Sequence, residues 1–346
     1  MHAQFGRTLL ACAAAMSAIA QPAPLPADLN WLLQQGALFT ADQVADLNAG
    51  KVISRTDVSR DDREAAAAAI VRISSPMERV VAYFHQLVSY EDGEVTLGFG
   101  TFSRPPGAPD LARLKLDADG VDDLQSCRPG RCNVRMGGAS MADVRSAVDW
   151  KAPGAVDRAS EWARSKMLAY VSSYLERGDA ALITYDDQSR PVKLADEWRG
   201  IIGNSPFLAV YAPALPRYLT EFPRASAPGM TDELYWDKQH YTSLKPILGV
   251  THMVTWRDPQ RPDRIVVAQK QLYASHYFFG SLATTVFLED RTNASAPVTY
   301  VVYANRSRGD LMSGGFGGLK QRLAESTVKK AAEDTLGRMK QALEAP

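Results

Sequence analysis

Cysteine, net charge and long apolar runs are what this sequence has least of. Lys+Arg and Asp+Glu both number 39. With no net basic charge, the electrostatic drive for nucleic-acid binding is missing, and no nucleic-acid partner is expected. Beyond the N-terminus, no segment reaches the roughly 18 apolar residues of a membrane span. Three cysteines occur, Cys12, Cys127 and Cys132. The histidines after the first twenty residues are His85, His240, His252 and His276, and none falls in a His-Glu-x-x-His or other zinc spacing. There is no Gly-x-Ser-x-Gly nucleophile elbow and no Gly-x-x-x-x-Gly-Lys-Ser/Thr phosphate loop. No metal, cofactor or catalytic residue is expected from these patterns.

What is present begins with a leader. Arg7 precedes the apolar run Thr8–Ala20, which is too short to span a bilayer, and Ala18-Ile-Ala20 fits a small-residue cleavage site. The pattern predicts an exported protein, periplasmic or secreted, cut after Ala20. A lipoprotein reading through Leu9-Leu-Ala-Cys12 leaves too short an apolar run before the cysteine. Cleavage would leave Cys127 and Cys132 around the turn sequence Arg128-Pro-Gly-Arg131, a pair suited to a small-loop disulfide in an oxidising compartment.

The rest of the chain alternates between two patterns. Asn30 to Gly50 reads as helix, with Thr40-Ala-Asp-Gln43 as a capping box. Lys51–Ser59 and Ala65–Ile73 read as strands. Ser75 and Pro76 then open a helix carrying Val80, Val81 and Phe84 on one face, and Glu94–Phe102 is another strand. From Leu111 to about Pro228 helices dominate, with breaks at Pro206, Pro213 and Pro216. Strands return at Leu234-Tyr-Trp236, Ile247–Trp256, Ile265–Phe279 (punctuated by Gly280), Ser281–Glu289 and Val298–Asn305. A final amphipathic helix carries Leu319, Leu323, Val328, Ala332, Leu336, Met339 and Leu343 along one stripe.

The strand end Val71–Ile73, its Ser-Ser-Pro-Met-Glu78 continuation and the helix to Leu87, with the strand-rich tail from Leu234 to Leu343, resemble the START-like group. That group comprises the Bet v 1, polyketide-cyclase and lipid-transfer proteins with a helix-grip fold. The resemblance implies an α+β protein: a curved antiparallel sheet gripping the long C-terminal helix, here with a mainly helical insertion. The corresponding divisions are 1–20 leader, 21–106 first part of the helix-grip domain with an N-terminal helix, 107–230 insertion, and 231–346 second part. It also implies a hydrophobic small molecule or lipid held between sheet and terminal helix. An enzyme on this scaffold, cyclase- or hydrolase-like and using His276 or Lys270, is the competing class. An envelope interaction protein that uses the insertion as its surface is the third.

Candidate ligand-binding residues cluster in the terminal strands. His276 sits among aromatics in Tyr273–Phe279, and Lys270 shares its parity. Tyr273, Tyr277, Phe278 and Trp256 supply apolar lining, and Phe316 lies in the glycine-rich Ser313–Gly318 segment before the last helix. That segment reads as a gate, an anion-binding helix start or a plain loop. On one continuous strand, Ser275 and His276 point to opposite faces and cannot act as nucleophile and base. Asp122-Asp123 and Asp186-Asp187 read as solvated acids.

Overall fold

The computed structural model describes residues 29–30, 33, 39–57, 63–89, 95–241, 244–292, 296–309 and 317–345; for 206, 207 and 317–324 it describes the backbone alone. The leader, Phe316 and the side chains of Leu319 and Leu323 therefore lie outside the described residues.

One antiparallel sheet organises the fold. Its strands are β1 (Ile53–Asp57), β2 (Glu64–Ile73), β3 (Thr96–Thr101), β6 (Met230–Gln239), β7 (Ile247–Arg257), β8 (Arg264–Ala274), β9 (Phe278–Asp290) and β10 (Val298–Gly309). They lie in the spatial order β1-β2-β10-β9-β8-β7-β6-β3, so the two ends of the chain meet at the β2–β10 pair. The sheet is large and curved, and the long C-terminal helix α9 (Gly317–Glu344) packs on it. Helix α1 (Ala41–Asn48) fills the second half of the expected Asn30–Gly50 helix, opened by the Thr40–Gln43 capping box; most of the first half lies outside the described residues. Helix α2 (Met77–Val88) begins one residue late, with Pro76 itself at the cap position.

The alanine run of β2 is strand despite its helical propensity. Tertiary context decides: β2 is paired on both sides, and the small Ala69 beside Val71 lets α9 lie close against it. Ala332, Leu336, Met339 and Leu343 of α9 pack with Val80, Val81 and Phe84 of α2 and with Met253, Ile265, Val267, Phe287 and Val301 of the sheet. Val328 is half-buried. The expected stripe is thus real where described, and from Ala332 to Leu343 side chains fill the space beneath it.

The opposite face of the sheet is also covered. Leu234, Trp236, Val250, Val254, Val266, Ala268 and Val286 alternate with the residues just named and pack against helices. These helices are α5 (Ala155–Arg177), α6 (Leu194–Gly203), α7 (Pro206–Tyr211) and α8 (Ala214–Glu221), with the short pair β4 (Thr184–Tyr185) and β5 (Val192–Lys193), while α3 (Ala118–Ser126) and α4 (Gly138–Ala147) form smaller clusters beside α5. Strand β7 is accordingly buried along nearly its whole length, as expected of a strand covered on both faces.

Candidate functional site

The cavity of interest lies between the helical block and the sheet, on the face away from α9. It lies on the opposite side of the sheet from the pocket expected under the tail helix, where the side chains of 317–324 are outside the described residues. Its volume is about 320 Å³. Leu248 and Val250 of β7 and Tyr273 of β8 form the floor. Helix α5 forms the roof with Ala163, Met167 and Tyr170, which recur at helical spacing and so share a face. Leu124 of α3, Val134, Met136, Ala181 and Ile183 close the sides.

Three aromatics on the wall direct their polar tips elsewhere. Trp162 Nε1 donates to Asp143 at 2.6 Å, the Tyr170 hydroxyl to the Leu272 carbonyl at 2.6 Å, and the Tyr273 hydroxyl to the Arg135 carbonyl at 3.0 Å. Their apolar rings are left to the cavity. The rim is charged and largely paired: Lys238 meets Asp117 at 2.7 Å, Lys166 meets Asp143 at 2.8 Å, and Lys245 meets Asp123, while Lys115 and Asp119 also line it.

His276 reaches this cavity through two irregularities that simple alternation does not reveal. Leu272 is an extra residue in β8, since Tyr273 faces Val250 while Gln271 faces Thr251. The bulge turns Tyr273 to the same face as Lys270. The strand then ends at Ala274, and Ser275-His276-Tyr277 is the turn into β9, with Tyr277 at φ 63°. Gly280 lies within β9 rather than at the break.

In that turn Ser275 and His276 do meet, contrary to the strand argument: Ser275 Oγ is 2.8 Å from His276 Nδ1. Ser275 Oγ also accepts the Leu248 amide at 2.9 Å. A backbone N–H can only donate, so the single hydroxyl proton is free to go to Nδ1. Burial is the largest influence on His276 and holds it below the ordinary histidine range; Asp123 opposes this, and Lys245 and Arg135 add to it. Ser275 donating to Nδ1 and the Asp123 carboxylate facing Nε2 both favour the neutral tautomer that carries its proton on Nε2. Nε2 is buried without a hydrogen-bond partner, and the Asp123 carboxylate stands 3.8 Å away.

Asp123 is not a solvated acid. It is buried and accepts from Asn133 at 2.9 Å. Burial alone would raise its carboxyl, but hydrogen bonds from Lys245 and Asn133 outweigh that and hold it below the usual value. The sequence held a signal for its placement. Asp123 lies one helical turn before Cys127, which is fully buried and disulfide-bonded to Cys132, so both share the inward face of α3. Asp187 is likewise buried, against Arg135 at 3.4 Å.

Of the seven ligand-binding candidates, the structure brings His276 and Tyr273 to the cavity wall. Tyr277 stands at its edge, its hydroxyl accepting the Lys245 amide at 2.8 Å. Phe278 is half-buried at the start of β9. Trp256 packs in the core, its indole donating to the Pro228 carbonyl at 3.2 Å. Lys270 is fully buried against Asp179 and the Leu219 carbonyl, away from the cavity wall. Leu248, Val250, Met167, Tyr170 and Asp123 were not among the candidates.

A second polar cluster centres on His252. His252 Nε2 meets Asp232 at 2.9 Å and Nδ1 meets the Tyr174 hydroxyl at 3.0 Å, with Tyr218 donating to Asp232 at 3.0 Å. Burial pushes the Asp232 carboxyl up, but His252 and Arg104 together hold it at about 2. A depressed carboxyl stabilises the fold above its unfolded value and loses that contribution as pH falls through the folded one. Asp232→Asn is expected to cost about 2 kcal/mol at pH 7 and to lack the stability loss that the wild type shows between about pH 4 and 2. Urea unfolding across pH measures this; an equal acid loss in the variant would remove Asp232 as its source.

No family model matches the chain, and no curated protein matches it in sequence. Among solved structures it is similar to the Zhui aromatase/cyclase from Streptomyces sp. R1128, at 13% identity and TM-score 0.23, over 43% of this chain and 87% of that one. It is similar to the di-domain ARO/CYC BexL from the BE-7585A biosynthetic pathway, at 10% identity and TM-score 0.24, over 86% and 78%. The di-domain ARO/CYC StfQ from the steffimycin biosynthetic pathway follows at 13% identity and TM-score 0.24, over 87% and 92%. All are aromatase/cyclases; at these scores the likeness carries no weight for activity or ligand.

Proposed function

We propose that this chain is an exported binding protein for a small molecule with an apolar body, and that the ligand sits between the helical block and the sheet. One observation carries the reading: a cavity of about 320 Å³ walled by Leu248, Val250, Met167 and Tyr170, whose aromatic neighbours turn their polar tips away from it. That volume lies in the range of small-molecule sites, and an apolar wall gains roughly 25 cal/mol for each Å² it removes from water. The Cys127–Cys132 disulfide, which needs an oxidising compartment, supports export. In this reading residues 107–230 are the insertion that supplies the cavity's roof to a START-like scaffold. No helix of the described residues is long and apolar enough to cross a membrane.

Naphthalene is a suitable probe, being rigid, apolar and without polar groups. It is expected to bind with a dissociation constant on the order of 0.1 mM, measured by calorimetry or ligand-observed NMR. Ala163→Phe places a ring in the cavity and should weaken binding at least tenfold with the fold retained by circular dichroism. Absence of naphthalene binding to the wild type, or binding indifferent to Ala163→Phe, overturns the placement. For export, mass spectrometry of the secreted product should find a chain starting near Gln21; a product retaining the first twenty residues refutes that part.

A further inference from the structure

The geometry points to a neutral hydrogen-bond acceptor on the ligand, a carbonyl or ether oxygen rather than a carboxylate, seated on His276. This rests on the cavity reading above and narrows it to a chemical class. Nε2–H of His276 is a donor whose direction is fixed from behind: the Leu248 amide occupies Ser275 Oγ at 2.9 Å, and Ser275 occupies Nδ1 at 2.8 Å. The ring is buried at the cavity wall, and Nε2 has no hydrogen-bond partner, the Asp123 carboxylate standing beyond hydrogen-bond distance. An unpaired buried donor is costly, and a ligand oxygen that meets it recovers that cost.

The charge of that oxygen is decided by what faces the same N–H. Asp123 Oδ2 lies 3.8 Å from Nε2, so an oxygen bound to His276 comes close to a carboxylate. The neighbouring cation, Lys245, is already on Asp123, and Arg135 is turned to Asp187 and the Tyr277 carbonyl. A ligand carboxylate would therefore meet like charge inside a low-dielectric cavity, whereas a ketone oxygen would not.

Three naphthalenes separate the terms. 2-Acetylnaphthalene adds a neutral acceptor to the apolar body, and 2-naphthoate adds a charged one. On the wild type at pH 7.5, 2-acetylnaphthalene is expected to bind at least tenfold more tightly than naphthalene and at least tenfold more tightly than 2-naphthoate. His276→Phe should bring 2-acetylnaphthalene level with naphthalene. Asp123→Asn should narrow the gap between ketone and carboxylate several-fold. Failure of naphthalene to bind defeats the cavity reading and this inference together. Naphthalene binding without an advantage for the ketone, or an advantage that survives His276→Phe, defeats this inference alone. Tighter binding of 2-naphthoate than of the ketone reverses it.

Discussion

Asp179→Ala is expected to destabilise the protein by about 3 kcal/mol, while Lys270→Met costs no more than about 1 kcal/mol. Lys270 projects from β8 into the helical block, fully buried, with its ammonium on Asp179 and the Leu219 carbonyl and near the rings of Trp198 at 5.2 Å and Tyr174 at 5.8 Å. Desolvation is the largest influence and lowers its pKa, with Asp179 opposing. Removing Asp179 leaves a cation in the core without its counter-charge, the costly way to break a buried pair. Replacing Lys270 by methionine removes the charge itself and keeps an unbranched side chain, while Asp179 remains partly exposed to water. In the Lys270→Met background, Asp179→Ala should cost less than about 1 kcal/mol, giving a coupling of about 2 kcal/mol by urea denaturation. Equal losses for the two single variants would contradict this account. Naphthalene binding should be unchanged in Lys270→Met; its loss there would return Lys270 to the ligand site.

The same residue shows how far the sequence carries. Parity along Ile265–Phe279 places Lys270 on the face of its even-numbered neighbours, and it is there, among Val266, Ala268 and Leu272. Parity gives no information on what covers that face. The composition of β7 does bear on it: from Ile247 to Trp256 every residue but His252 is apolar or small, which fits a strand buried on both sides better than one with a solvated face. The sheet, its hairpins and the tail helix were legible because period-two and period-3.6 patterns are local. The cavity was not, because it depends on Leu272 acting as a bulge and on the turn at Ser275–Tyr277. Both break the alternation from which facing is inferred. Asp123 and Asp187 were misread for a related reason: an acid beside another acid looks solvated until its partners, Lys245 and Arg135, are brought from distant segments.

The cavity's far wall hangs on one backbone approach, which makes Gly178→Ala the second large effect. Gly178 ends α5 at φ 58° and ψ −134°, a region open essentially to glycine alone. A Cβ built there would overlap the carbonyl oxygen of Phe222. Neither side can yield easily. Phe222 stacks on Tyr174 at 5.3 Å and lies 4.5 Å from the His252 ring, while the next residue, Asp179, is held by Lys270. Backbone strain and collision together are expected to cost about 4 kcal/mol. Gly337→Ala is the control: it lies within α9 with nothing near an added Cβ, and alanine should stabilise it by about 0.5 kcal/mol. The consequence extends to binding. Met167 and Tyr170 lie upstream of Gly178 on α5, and Ala181 and Ile183 follow it, so a shift at this point moves two walls of the cavity. Under conditions where Gly178→Ala remains folded, naphthalene affinity should fall at least threefold. Stability loss with unaltered affinity would show that the junction supports the fold without shaping the cavity.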